Sequence, residues 1–134
     1  MMIAELLEKA KNASEQLKML SPDVINKILL DIADLCDSKE NEKDLALMDK
    51  KNPLYDRLKL TNKRLDDISS QIRKLVELPS PLNRVLSREV RPNGLDISKI
   101  SVPFGVIGII YEARPNVTSD AAGLCFKAGN AVIL

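Results

Sequence analysis

The spacing of apolar and polar residues divides the chain into a helical front and a strand-forming end. Between residues 3 and 19, Ile3, Leu6, Leu7, Ala10, Ala13 and Leu17 recur at helical intervals with Glu and Lys between them. That pattern predicts an amphipathic helix. Ser21-Pro22-Asp23 then restarts the chain, with Ser21 suited to the N-cap, Pro22 to the first helical position and Asp23 to the positive end of the dipole. The second helix is expected to run to about residue 37. Its inner side would hold Val24, Ile25, Ile28, Leu29, Ile32, Leu35 and Cys36, a stripe wide enough for partners on more than one side. Residues 38–52 are rich in charge, with a short helical pattern at Leu45, Ala46 and Met48 that Pro53 should end. Residues 54–58 predict a turn of helix. Thr61 is placed to cap a third long helix reaching about Glu77, with Leu65, Ile68, Ile72, Leu75 and Val76 inward.

Beyond Pro79-Ser80-Pro81 the pattern changes. Asn93-Gly94 marks a hairpin between strands near 84–91 and 95–102. A two-stranded ribbon is marginal alone. It is expected to lie against another sheet or subunit, with an oligomer interface as the first explanation. Next come an apolar run, Val106 to Tyr111, a polar bend at 112–116, a helix-like stretch and a second apolar run, Ala131 to Leu134. The helix is expected to start near 116–119, where Asn116, Thr118 and Ser119 can each cap, and to stop at Ala128-Gly129 with Gly129 at the C′ position. Ala121, Ala122, Leu124, Cys125 and Ala128 would face the sheet. Two strands apolar on both faces, joined by a helix, predict a buried parallel βαβ unit. The fold class is therefore α/β, in three segments: a helical segment at 1–83, a ribbon at 84–102, and the start of a parallel sheet at 103–134. Such a sheet is normally covered on both faces. The chain is thus expected to be the front part of a larger enzyme, prone to aggregate unless the sheet is completed.

Composition narrows the function. The net charge of +1 in 134 residues gives no electrostatic case for nucleic acid or an anionic membrane. No apolar run approaches the roughly 20 residues that span a bilayer. There is no His, which removes His-based acid–base chemistry, and no metal-ligand spacing surrounds the cysteines. Cys36 and Cys125, with no signal-peptide core, fit a reducing cytoplasm. Cys125 falls on the apolar side of a helix with no His to activate it, so it reads as structural rather than nucleophilic.

The candidate chemistry lies in the bend. It follows a parallel strand and opens a helix, where ligands bind in open α/β sheets. Backbone N–H groups at such a place attract anions. Arg114 could hold a phosphate or carboxylate, and the Asn116 amide could donate to an oxyanion. The plainer alternative makes Asn116 a helix cap and Arg114 a surface charge. Gly105 and Gly108 do not form G-x-G-x-x-G, and close backbone approach explains them as well.

Residues 102–118, VPFGVIGIIYEARPNVT, with KAGNAVIL at 127–134, closely resemble the γ-glutamyl phosphate reductase family. Residues 55–61, YDRLKLT, with Arg64-Leu65, are similar to that family's DRLxLTxxRL segment. The likeness covers essentially the whole chain, with a shorter stretch around 40–54. It implies an aldehyde-dehydrogenase-like cofactor domain, incomplete here, and the reduction of L-glutamyl 5-phosphate to L-glutamate 5-semialdehyde with NADPH and release of phosphate, in proline biosynthesis. It places Asn116 at the oxyanion-holding amide, Tyr111, Glu112, Ala113, Arg114 and Pro115 on the nicotinamide side of the NADP cleft, and Arg114 on the substrate. It also implies a homo-oligomer built through the ribbon, and glutamate 5-kinase as a partner. The family's mechanism runs through a thioester on a cysteine that Cys125 does not match, so this chain alone is expected to be inactive. The alternative class is a non-catalytic assembly module acting through the helices and the ribbon.

Overall fold

A computed structural model describes residues 3–36, 39–112 and 114–134. The helical segment is built on two antiparallel stripes. Helix α2 (Pro22–Asp34) starts as expected: the Ser21 hydroxyl accepts from the Val24 N–H at 3.4 Å, and Pro22 occupies the first turn. It buries Ile25, Leu29 and Ala33, one residue per turn, against Ile68 and Ile72 of α5 (Asn62–Glu77). Thr61 caps α5 by accepting from Arg64 N–H at 3.3 Å. The stripe on α2 is narrower than its sequence implied. Val24, Ile32 and Leu35 are exposed, because α5 and α6 (Pro115–Lys127) both pack on the cluster of Ile25, Leu29 and Ala33, through Ile68, Ile72 and Phe126. The helix also closes earlier, with the Leu35 N–H bonded to the carbonyls of Asp31 and Ile32. The expected end at residue 37 lies outside the described residues.

Helix α1 (Ile3–Leu17) packs on the small parallel sheet, with Leu6, Ala10 and Ala13 beside Ala131–Leu134. Its one buried residue is Ser14, whose hydroxyl donates to the Lys11 carbonyl at 2.7 Å. Helix α3 (Lys39–Ala46) stops well before Pro53, and turns lead to the single helical turn α4 (Tyr55–Leu58). Buried Asn41 clamps the segment after α4. Its amide donates to the Leu58 carbonyl and accepts from the Leu60 N–H, both at 2.8 Å.

Strands β1 (Val85–Val90) and β2 (Asp96–Ile100) form the antiparallel ribbon, with an irregularity between Val85 and Ser87. Pro92-Asn93-Gly94 makes a three-residue loop, and Gly94 takes the left-handed conformation (φ +84°) that such loops need. Every residue of both strands is exposed. Packing of the ribbon within its own chain, one of the two expectations, is therefore not found among the described residues.

The last unit is β3 (Val106–Gly108), α6 (Pro115–Lys127) and β4 (Ala131–Ile133), with the two strands parallel. The unit has the predicted order, but β3 is shorter than residues 106–111. Its ladder stops where Ile109 N–H meets the Ile133 carbonyl at 2.9 Å, and Ile110 is fully exposed. Gly129 ends α6 at φ +70°, with Leu82 so near that an added Cβ would meet it at 3.0 Å. Asn130, buried behind it, accepts from Gly105 N–H at 2.9 Å and donates to the Ala128 carbonyl at 3.1 Å, tying the starts of both strands to the helix end.

Lys127 is the unexpected core residue, only 4% exposed. Its ammonium donates to Asn26 Oδ1 of α2 at 2.6 Å and to the Val76 carbonyl of α5 at 3.1 Å. Val76 lies in the last turn of α5, where carbonyls lack intrahelical partners and the dipole favours a cation. One side chain thus joins three helices. Desolvation holds its pKa below the ordinary lysine value. Between that lowered value and the unfolded one, the unfolded chain binds more protons, so stability should rise with pH across this window. Lys127→Met leaves two acceptors without their donor and is expected to cost about 1–3 kcal/mol in urea denaturation, with the pH-dependent rise lost. A variant as stable as the parent would contradict the assignment.

Candidate functional site

The bend after β3 emerges at the carboxyl end of the parallel pair, as expected for a ligand site in an α/β sheet. The start of α6 differs from the expectation in one respect. Arg114 takes the N-cap position in extended conformation (φ −131°, ψ 115°), Pro115 is the first helical residue, and Asn116 is already inside the first turn. Neither Asn116, Thr118 nor Ser119 caps the helix, and Arg114 makes no side-chain cap hydrogen bond either. The reason is local. Proline presets φ for the first helical position, which moves the cap one residue upstream. The reading of Asn116 as a mere cap is thereby overturned. Its exposed side-chain amide has no hydrogen-bond partner among the described residues.

Asn116 lines an open cleft of about 410 Å³ with Arg57, Lys59, Arg64, Asp67, Gln71, Arg114 and Pro115. Three stretches converge there: α4 and the residues just after it, the first three turns of α5, and the start of α6. Sequence reasoning about chemistry missed Arg57, Lys59 and Arg64. Their signal is the basic spacing inside DRLKLT and the following Arg.

The cations have different tasks. Arg64 is committed to the fold: its guanidinium donates to the carbonyls of Asp56 and Lys59 and to Asp56 Oδ2 at 3.1 Å. Arg57 and Arg114 share one carboxylate. Arg57 Nη1 donates to Glu112 Oε1 at 3.0 Å, and Arg114 Nη2 lies 3.2 Å from Glu112 Oε2. The ammonium of Lys59 has no partner among the described residues.

A second cleft of about 590 Å³ lies beside the first and is lined by Tyr111, Arg114, Pro115, Thr118 and Leu134, with Glu40, Asn41 and Asp44. The Tyr111 and Thr118 hydroxyls are hydrogen-bonded to each other at 2.6 Å. Of the residues expected on the cofactor side, Tyr111, Arg114 and Pro115 are brought together here, whereas Glu112 is turned to the two arginines. Ala113 lies outside the described residues. Pro115 and Leu134 give this cleft apolar surface, and the Tyr111 and Thr118 hydroxyls and the Arg114 cation give it a polar edge together with the Glu40 and Asp44 carboxylates.

Cys125 lines neither cleft and is 8% exposed. Burial pushes its thiol pKa up, the opposite of what a nucleophile needs. Cys36 donates to the Ile32 carbonyl at 3.4 Å in the last turn of α2 and lines neither cleft. Among the described residues, no group of three or more His, Cys, Asp or Glu could hold a metal, and no helix is long and apolar enough to cross a membrane. In a Cys36→Ala background, Cys125 is expected to resist an aromatic disulfide reagent at pH 8 until the chain is unfolded. Rapid labelling of the native chain would show an accessible, activated thiol.

No family model matches the chain. Among curated proteins it is 57% identical to a γ-glutamyl phosphate reductase of Bacteroides thetaiotaomicron, over 91% of this chain and 31% of that protein. It is 51% identical to the one of Phocaeicola vulgatus, over 98% and 33%. Two solved structures of γ-glutamyl phosphate reductase superpose on it. That of Thermotoga maritima has a TM-score of 0.86 at 36% identity, over 96% of this chain and 34% of that one. That of Saccharomyces cerevisiae has a TM-score of 0.83 at 28% identity, over 97% and 35%. The chain therefore spans about a third of the length of the relatives that it matches.

Proposed function

We propose that this chain, homologous along its length to γ-glutamyl phosphate reductases, supplies the oxyanion amide and the substrate-facing bend for that reaction. The reaction reduces L-glutamyl 5-phosphate to L-glutamate 5-semialdehyde with NADPH and releases phosphate. The observation that carries the reading is Asn116. Its amide is unpartnered, stands in the first turn of α6 at the carboxyl end of a parallel strand, and faces a cleft lined by cations.

The chemistry asks three things of these residues. The acyl carbonyl oxygen gains negative charge when a nucleophile attacks, and a fixed amide N–H lowers that barrier without reorganising at the moment of reaction. Asn116 is the donor, held in place because Pro115 fixes the backbone before it and α6 is anchored at its far end by Lys127. The anionic substrate must be drawn in and aligned, which the cleft cations do. The cofactor, when bound, supplies hydride, and Tyr111, Arg114, Pro115 and Thr118 would hold it from one side. The thiol that carries the acyl group is neither Cys36 nor Cys125, since each lies away from both clefts. It belongs to the part of the relatives that this chain does not span.

The test grafts this chain in place of the matching third of the Bacteroides thetaiotaomicron enzyme. Asn116→Ala in that chimera is expected to lower kcat about 10²–10³-fold with little change in KM. Unchanged turnover would remove Asn116 from the reaction.

A further inference from the structure

We infer that Glu112 is a resident carboxylate that occupies the Arg57–Arg114 pair until a dianionic phosphoryl group displaces it, with Lys59 completing the seat. The two guanidiniums come from distant parts of the chain, Arg57 lying 55 positions before Glu112. Arg57 donates to one oxygen of the carboxylate at 3.0 Å, and Arg114 is ion-paired with the other at 3.2 Å. Paired arginines arranged in this way match an oxyanion with two or more oxygens. All three side chains are about half exposed, at 50% for Arg57, 55% for Glu112 and 49% for Arg114. The pairs are therefore weak and open to exchange.

The direction of exchange follows from charge. A ligand carboxylate would replace one monoanion by another and gain little. A dianion between the same two cations, with the unpartnered Lys59 ammonium in the same cleft, gains roughly twice the Coulomb attraction. The cleft also holds Asp67, which disfavours anions and which the dianion has to outweigh. Arg64 is already ion-paired with Asp56 and held by two backbone carbonyls, so it is left outside the seat. Asn116 lines the same cleft, so the seat stands beside the oxyanion donor, where the phosphate of an acyl phosphate is one bond from the reacting carbon. The ligand's identity as an acyl phosphate rests on the reductase reading; the exchange itself does not.

The probes are inorganic phosphate and acetate, each titrated calorimetrically at low ionic strength and pH 8 into the 134-residue chain. Phosphate is expected to bind, and acetate at least about tenfold more weakly. Glu112→Gln removes the resident charge and should tighten phosphate about fivefold, while Arg57→Gln should weaken it about tenfold. Glu112→Asp, too short to reach both arginines, should also tighten it and serves if the Gln variant fails to fold by circular dichroism. A Glu112 that merely organises the arginines gives the opposite sign, weaker phosphate binding in Glu112→Gln. That result, an unaffected Arg57→Gln, acetate binding as tightly as phosphate, or no phosphate binding at all would each overturn the exchange. None of these bears on the reductase reading, which the turnover of the Asn116 variant decides separately.

Discussion

A single buried ammonium sets the geometry of this chain. Lys127 closes the end of α5 by bonding the Val76 carbonyl and reaches across to Asn26 on α2, from the last turn of α6. Apolar contact alone would let α6 slide on α5, since that contact is broad and non-directional. Two hydrogen bonds from one charged donor, at 2.6 and 3.1 Å, fix both its axial position and its rotation. A desolvated cation is costly to leave unpaired, so the arrangement tolerates little slippage. Asn130 then transfers the same register to the sheet by bonding the Gly105 N–H and the Ala128 carbonyl.

The consequence appears at the opposite end of α6. With its C-terminus pinned, the helix delivers Pro115 and Asn116 to a fixed place at the carboxyl edge of β3 and β4, beside the segment after α4. That segment is held independently by Asn41 from one side and by Arg64 from the other. The cleft is thus a meeting of two braced pieces of chain, and Glu112 bridges them through Arg57 and Arg114. Positioning by rigid elements is what a preorganised oxyanion site requires. The open side of β3, the exposed ribbon and the uncovered Ile110 carry none of this bracing.

Much of the fold was legible because its signals are local. Ser21, Thr61 and Gly129 act at the helix ends where their types predict, and Asn93-Gly94 turns the ribbon. The rest depends on what meets what. The full apolar stripe of α2 could not be narrowed to Ile25, Leu29 and Ala33 without knowing that both partners lie on one side. Lys127 reads as an ordinary last-turn cation in sequence, and only the approach of α2 and α5 buries it. The site was half legible. Asn116 and Arg114 are picked out by their place after a strand, but the cap falls two residues before the earliest one expected, although Pro115 carries the same signal that Pro22 carries for α2. Arg57 and Lys59 were out of reach, because nothing local brings them to residue 116.

The central claim is that this scaffold presents an amide and a set of cations to an acyl phosphate. Its most direct test is the reverse reaction in the chimera with the Bacteroides thetaiotaomicron enzyme, following reduction of NADP by L-glutamate 5-semialdehyde with and without inorganic phosphate. The account predicts a rate that depends on phosphate and saturates with it, since phosphate must accept the acyl group to form the acyl phosphate. A rate independent of phosphate, with water as the acceptor and free glutamate as the product, would contradict it.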